Sequence, residues 1–174
     1  GDYSTAVKAL CELGNVPQAY ELLVKKICKA HVVDGQLDRQ LVAALLERFA
    51  YIKRYGRVEE NRVGNILYGY LRLEECNFNG MASSATVLEC MEKVFGGMKA
   101  LVGSVDASEY AENKQLLHAI EFRALKLLTG EEFEEQSRIL DVFMEKVASK
   151  EYYLALEVNC VEEVLSRFVE KLYN

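Results

Sequence analysis

The sequence predicts an all-α protein, a multi-helix antiparallel bundle of about eight or nine helices. Three observations carry this expectation. Apolar residues recur at i, i+3, i+4 and i+7 along most of the chain. Alternating runs of Val, Ile and Thr, the mark of half-buried strands, are missing. Short breaks rich in glycine, asparagine and aspartate separate the periodic stretches, and short connections make successive helices antiparallel neighbours. At 174 residues, 51% hydrophobic, 28% charged and with a single proline, the chain is long enough to bury its own core and is neither disordered nor of low complexity. It is read as one helical domain over 1–174. Because it opens on Gly1 rather than methionine, that domain is expected to be a piece of a larger protein.

The elements follow in order. Helices are expected near 3–13 and 16–33, the second opened by Asn15 ahead of Val16-Pro17, since proline is tolerated where first-turn amides have no intrahelical acceptor. Its apolar face runs Ala19, Leu22, Leu23, Ile27, Ala30. A helix near 37–54 precedes one near 58–76, whose Val63, Ile66, Leu67, Tyr70 and Leu71 form one face. Gly64 and Gly69 interrupt that face at a cost of about 1 kcal/mol each relative to alanine, so a closely approaching helix is expected there. Asn77 to Ser83 reads as the longest loop. In the helix near 84–102, Gly96-Gly97 is expected to kink or break the rod. The stretch 107–129 carries Leu116, Leu117, Ile120, Ala124, Leu127 and Leu128, widened by Phe122 and Leu125, and is expected to be the most buried helix. Helices near 131–148 and 160–173 follow, with a short helical turn within 150–157. Asp106 with Glu109 and Asn159 with Glu162 have capping-box spacing. Gly14, Gly35, Gly56, Gly103 and Gly130 each follow a periodic run, where left-handed C-caps are expected.

Charge narrows the function. A net charge of −6 and a pI near 5.1 argue against direct nucleic-acid binding, which draws on Lys and Arg against phosphates. The small basic clusters, Lys25-Lys26 with Lys29 and Lys53-Arg54 with Arg57, read as solvated helix faces. Five cysteines, an odd number with no C-x-x-C pair, sit in apolar helical patterns and read as reduced, buried thiols of an intracellular compartment. No apolar stretch is long enough to span a membrane.

Catalytic and metal patterns are also missing. His118 and Glu121 stand at i, i+3, like half of a di-iron site, but the second such pair is absent, so a half-buried histidine with a helix neighbour is the better reading. The run Glu131, Glu132, Glu134, Glu135 falls at an expected helix N-terminus, where the macrodipole favours negative charge. No nucleophile elbow, phosphate-binding glycine loop or zinc spacing is present. The chain is therefore read as a non-enzyme without cofactor or metal. Surface remains. Tyr51, Tyr55, Tyr68, Tyr70 and Phe78 concentrate around the third and fourth helices. Tyr70 fits a core, whereas Tyr51, Tyr55 and Phe78 suit a peptide-docking groove beside Arg72.

Three segments carry a family resemblance. Asn61 to Phe78, NRVGNILYGYLRLEECNF, resembles the third helix and following loop of the telomere-repeat-binding factor homology (TRFH) domain. Leu128 to Leu140, LTGEEFEEQSRIL, is similar to a Glu-Phe-Glu passage between two helices of those domains. Ser149 to Asn174, SKEYYLALEVNCVEEVLSRFVEKLYN, resembles their closing segment. The likeness spans roughly residues 20–173; the helix at 3–13 has no counterpart in it. It implies an all-α homodimer in the nucleus, at telomeres, with DNA bound by a separate Myb-type domain. Carried over by position, it implies a dimer interface of Leu22, Leu23, Ile27, Leu41, Leu45, Val164, Phe168 and Leu172. It also implies docking of short peptide motifs of partner proteins at Arg72, Glu75 and Phe78. The alternative is a tetratricopeptide-like adaptor, suggested by AVKALCELGNVPQAYELL (Ala6 to Leu23), although no sustained 34-residue period accompanies it.

Overall fold

The computed structural model describes residues 3–56, 61–80, 82–104, 108–130, 133–154, 166 and 170. Among them every regular element is helical: α1 (Tyr3–Glu12), α2 (Val16–Leu22), a π-helical turn π1 (Leu23–Cys28), α3 (Lys29–Asp34), α4 (Arg39–Lys53), α5 (Arg62–Asn79), α6 (Ser84–Met91), a second π-helical turn π2 (Glu92–Gly96), α7 (Gly97–Val102), α8 (Ser108–Glu112), α9 (Lys114–Thr129) and α10 (Gln136–Ala148). The segments α2–π1–α3 and α6–π2–α7 are continuous rods, so the described residues form eight helical rods, as the periodicity predicts.

Polar side chains set the starts. Asn15 Oδ1 accepts from the Gln18 amide at 3.4 Å, Asp38 from Leu41 at 2.8 Å and Asn61 from Gly64 at 2.8 Å, each satisfying an amide with no intrahelical partner at about 1 kcal/mol. At the ends, Gly14 and Gly35 take the expected left-handed conformation, whereas Gly103 and Gly130 do not (φ −79° and −71°). Gly80 supplies an unforeseen left-handed cap. Its amide bonds the Cys76 carbonyl at 3.1 Å, and α5 runs on through Asn77, Phe78 and Asn79, residues expected in a loop.

The centre of the bundle is α5 rather than the 107–129 helix. It packs against α4, α6, π2, α7 and α9, and buries Val63, Ile66, Leu67, Tyr70, Leu71 and Leu73. Its two inner glycines explain how so many neighbours fit. A Cβ on Gly64 would overlap the Tyr20 ring of α2, and one on Gly69 would stand 2.7 Å from Lys93 Cβ of π2. The expected close approach is therefore present at both positions.

The π turns account for the main departures in register. The sequence places Ala30 on the buried face of the second helix, but Ala30 is exposed, and Cys28 and Val32 are fully buried instead. The buried stripe steps Ala19, Leu23, Cys28, Val32, and its five-residue step crosses π1, where a wider turn inserts one residue. Gly96-Gly97 likewise neither breaks nor ends its rod: π2 closes at Gly96 and α7 continues from Gly97. The expected 107–129 helix is divided at Asn113, whose side chain donates to the Glu109 carbonyl at 2.8 Å. The helix expected at 131–148 starts at Gln136, after Glu135 in left-handed backbone (φ 51°). Residues 150–154 are turn and coil, with Lys150 also left-handed (φ 64°). Asp106, Glu131, Glu132, Asn159, Glu162 and Cys160 lie outside the described residues. The other four cysteines are buried and unbridged, as their apolar setting predicts.

Candidate functional site

The α4–α5 pair opens to solvent on one side. Phe49 and Lys53, one turn apart on α4, face Asn65 and Tyr68, one turn apart on α5. Tyr20 of α2 closes the floor and Lys93 of π2 closes one end, leaving a cleft of about 510 Å³. Tyr20 and Phe49 are buried, Tyr68 is half-buried, and both lysines are exposed. The rings interlock edge to face: Tyr20 to Phe49 and Phe49 to Tyr68 both have centroids 5.6 Å apart. Each such contact adds about 0.5–1.5 kcal/mol beyond area burial and fixes the floor's shape. Lys93 Nζ lies 5.2 Å above the Tyr68 ring and 3.6 Å from Glu89. The cleft is thus apolar below and cationic at its rim.

The exposed edge of α5 extends this surface. Arg72 follows Tyr68 by one turn, and its Nε is 3.7 Å from Glu75, an exposed pair held loosely enough to exchange partners. Two of the three sequence-assigned docking residues, Arg72 and Glu75, therefore share one half-buried edge with the cleft. Phe78, equally half-buried, follows Glu75 by one turn on the same helix. It sits in the last turn of α5 rather than in a loop, packs against the core, and its carbonyl accepts from Arg39 of α4.

The residues assigned to a dimer face divide three ways. Leu23 and Leu45 lie inside the chain's own core, 0% and 2% exposed. Leu22, Ile27 and Leu41 are half-buried at its edge, with Leu22 lining a shallow groove of about 220 Å³ beside Leu10, Glu21, Lys25 and Lys26. Val164, Phe168 and Leu172 lie outside the described residues. Tyr51 and Tyr55, set aside in the sequence as surface aromatics, stack at 5.2 Å with hydroxyls 3.2 Å apart, and that hydrogen bond raises the Tyr51 phenol above its ordinary value. Tyr51 also lines a smaller hollow of about 140 Å³ with Val7, Lys8 and Arg48.

His118 is half-buried and shares a 3.1 Å hydrogen bond with Tyr110, one helix back, while Glu121 is fully buried. On α5, burial raises the Glu74 carboxyl and the nearby Arg123 guanidinium opposes that rise. Arg123 in turn donates from Nε to the Val32 carbonyl at 2.7 Å. Among the described residues, no group of three His, Cys, Asp or Glu side chains is arranged to hold a metal ion.

Phe49 and Lys93 escape a reading of the sequence, because the cleft is assembled from four elements and no local spacing marks it. Comparison with protein-family models, with curated proteins and with solved structures finds no match for this chain.

Proposed function

We propose that this chain is a non-enzymatic interaction domain that docks a short acidic peptide segment of a partner protein along α5. The observation that carries the reading is the cleft between α4 and α5, with an apolar aromatic floor and the cations Lys53 and Lys93 at its rim. A peptide offering one aliphatic or aromatic anchor over Phe49 and Tyr68, and carboxylates toward the lysines, matches both its shape and its charge. Arg72 and Glu75 extend the contact along the same helix edge. The resemblance to TRFH domains supports the same kind of activity and supplies the wider setting: a nuclear, telomeric protein that pairs with a second copy, with Leu22, Ile27 and Leu41 the half-buried members of the implied face. A repeat adaptor is the weaker reading, since the helices gather around α5 instead of stacking as successive equal pairs.

Selection from a random short-peptide library displayed on phage tests the docking reading. Enrichment of acidic sequences with a single large apolar residue is expected, with about tenfold weaker binding (roughly 1.4 kcal/mol) for the Lys53→Glu domain. Failure to enrich any sequence, or enrichment indifferent to Lys53→Glu and Tyr68→Ala, refutes it. Sedimentation at micromolar concentration tests the pairing, and a strict monomer removes that part alone.

A further inference from the structure

We propose that Tyr51 and Tyr55 form a modification site at which a one-electron oxidant of the haem-peroxidase class joins the two phenols through an ortho carbon–carbon bond.

The backbone sets the pair. Tyr51 lies in the last turn of α4, and the winding runs on past Lys53. The Arg54 amide donates to the Tyr51 carbonyl at 3.2 Å, and the Tyr55 amide donates to the Ile52 carbonyl at 2.9 Å. Residues four apart on such a coil share one face. The ring centroids stand 5.2 Å apart with the planes inclined at 43°, and the hydroxyl oxygens are 3.2 Å apart. Because the oxygens are closer than the centroids, the rings converge toward their hydroxyl ends. The ortho carbons that flank each hydroxyl are thereby brought edge to edge. Lys8 of α1 holds its Nζ 5.8 Å from the Tyr51 ring centroid, a cation–π contact that steadies this ring.

Exposure admits an oxidant to the same place. Tyr55 is 45% exposed and Tyr51 is half-buried, whereas Tyr20, Tyr70 and Tyr152 are buried. Tyr3 is as exposed as Tyr55, so exposure alone marks both. Tyr55 adds a second phenol already at contact distance, and that contact replaces a chance encounter between two radicals.

The chemistry balances. Each phenol gives up one electron and one proton, and the unpaired spin spreads onto the ring carbons ortho to oxygen. One ortho carbon of each ring then bonds to the other. The hydrogen on each of these carbons passes through solvent to the oxygen beside it, restoring two aromatic phenols. Hydrogen peroxide, the terminal oxidant of the peroxidase, accepts both electrons and both released protons as its O–O bond breaks. Two phenols and one peroxide give one biphenol and two waters. The new bond staples the turn of α4 that carries Lys53 at the rim of the cleft.

The full chain allows a direct test, because residues 49–53 and 55–57 are separate tryptic peptides. The dilute protein is treated with a haem peroxidase and hydrogen peroxide, then digested. The two peptides should be recovered joined, as one species two hydrogens lighter than their sum. Its yield should exceed that of any product joined through Tyr3 in peptide 1–8 by about tenfold, since only the close pair avoids a bimolecular step. The undigested product should run as a monomer in a denaturing gel and carry the blue fluorescence of a biphenol. Tyr51→Phe and Tyr55→Phe should each lose that fluorescence and the joined species. Recovery of 49–53 and 55–57 unjoined while peptide 1–8 is oxidised, links found only between molecules, or a fluorescent monomer in Tyr51→Phe overturns the proposal. A photogenerated ruthenium(III) complex repeats the test with a small oxidant, and no link with either oxidant overturns it as well. If a variant fails to fold, the peptide map of the unsubstituted protein still separates these outcomes.

Discussion

Among the described residues stand two clusters of three aromatic rings, one open and one closed. Tyr20, Phe49 and Tyr68 meet at 5.6 Å spacings beneath a cleft that reaches solvent. Phe95, Phe143 and Tyr152 meet at 5.0, 5.8 and 6.0 Å and are all buried. The ring contacts are alike, so the rings themselves do not decide which cluster is surface and which is core. The walls decide. Over Phe95, α10 supplies Phe143 and the segment after it supplies Tyr152, with the Tyr153 amide reaching the Phe95 carbonyl at 3.5 Å. Over Phe49 no described helix takes that position, and lysine stems line the edges instead. Among the described residues, the difference between the open and the closed aromatic cluster is the wall laid over it.

Substitutions sharpen this contrast in order of expected effect. Phe143→Ala empties a closed site and should cost about 3–5 kcal/mol in urea unfolding, whereas Tyr68→Ala should cost about 1 kcal/mol or less because its ring is already half in water. Equal losses would erase the distinction between the clusters. Gly64→Ala should cost about 1–3 kcal/mol despite the better helix propensity of alanine, because the new methyl displaces the Tyr20 ring from the cleft floor. A stabilised Gly64→Ala protein would mean that Tyr20 does not hold the floor. The smallest effect is pH-dependent. Burial, and then a hydrogen bond with Glu92, raises the Tyr152 phenol in the folded protein. Its contribution is complete below the unfolded value of about 10 and drains away as pH climbs above it, since only the unfolded chain ionises readily there. Chemical denaturation between about pH 8 and 11 should show a falling alkaline limb that is flatter in Tyr152→Phe. An unchanged slope would mean that this phenol is no better shielded when folded than when unfolded.

Local information makes much of the fold legible. The α5 face is readable because a regular helix repeats its burial every three to four residues, and Val63, Ile66, Leu67, Tyr70 and Leu71 obey that rule. Asn15 is readable as a cap because its task involves only the next three residues. The π turns are not: an inserted residue rotates everything downstream, so the periodicity points Ala30 inward and leaves Val32 aside. The cleft is half legible. Tyr68 stands out as one of the aromatics around the third and fourth helices, but Phe49 and Lys93 join it only after α4 and π2 dock. Phe78 reads as loop because its helix ends only at Gly80, two residues beyond it.

The bond from Arg123 to the Val32 carbonyl joins positions 91 residues apart. During synthesis on a ribosome, the end of α3 must therefore wait for α9 before that carbonyl finds its partner and Gly35 is covered by the guanidinium. The first three helices cannot complete their native contacts as an early, separate folding unit, and a chain cut between α5 and α6 would yield two fragments that each need the other.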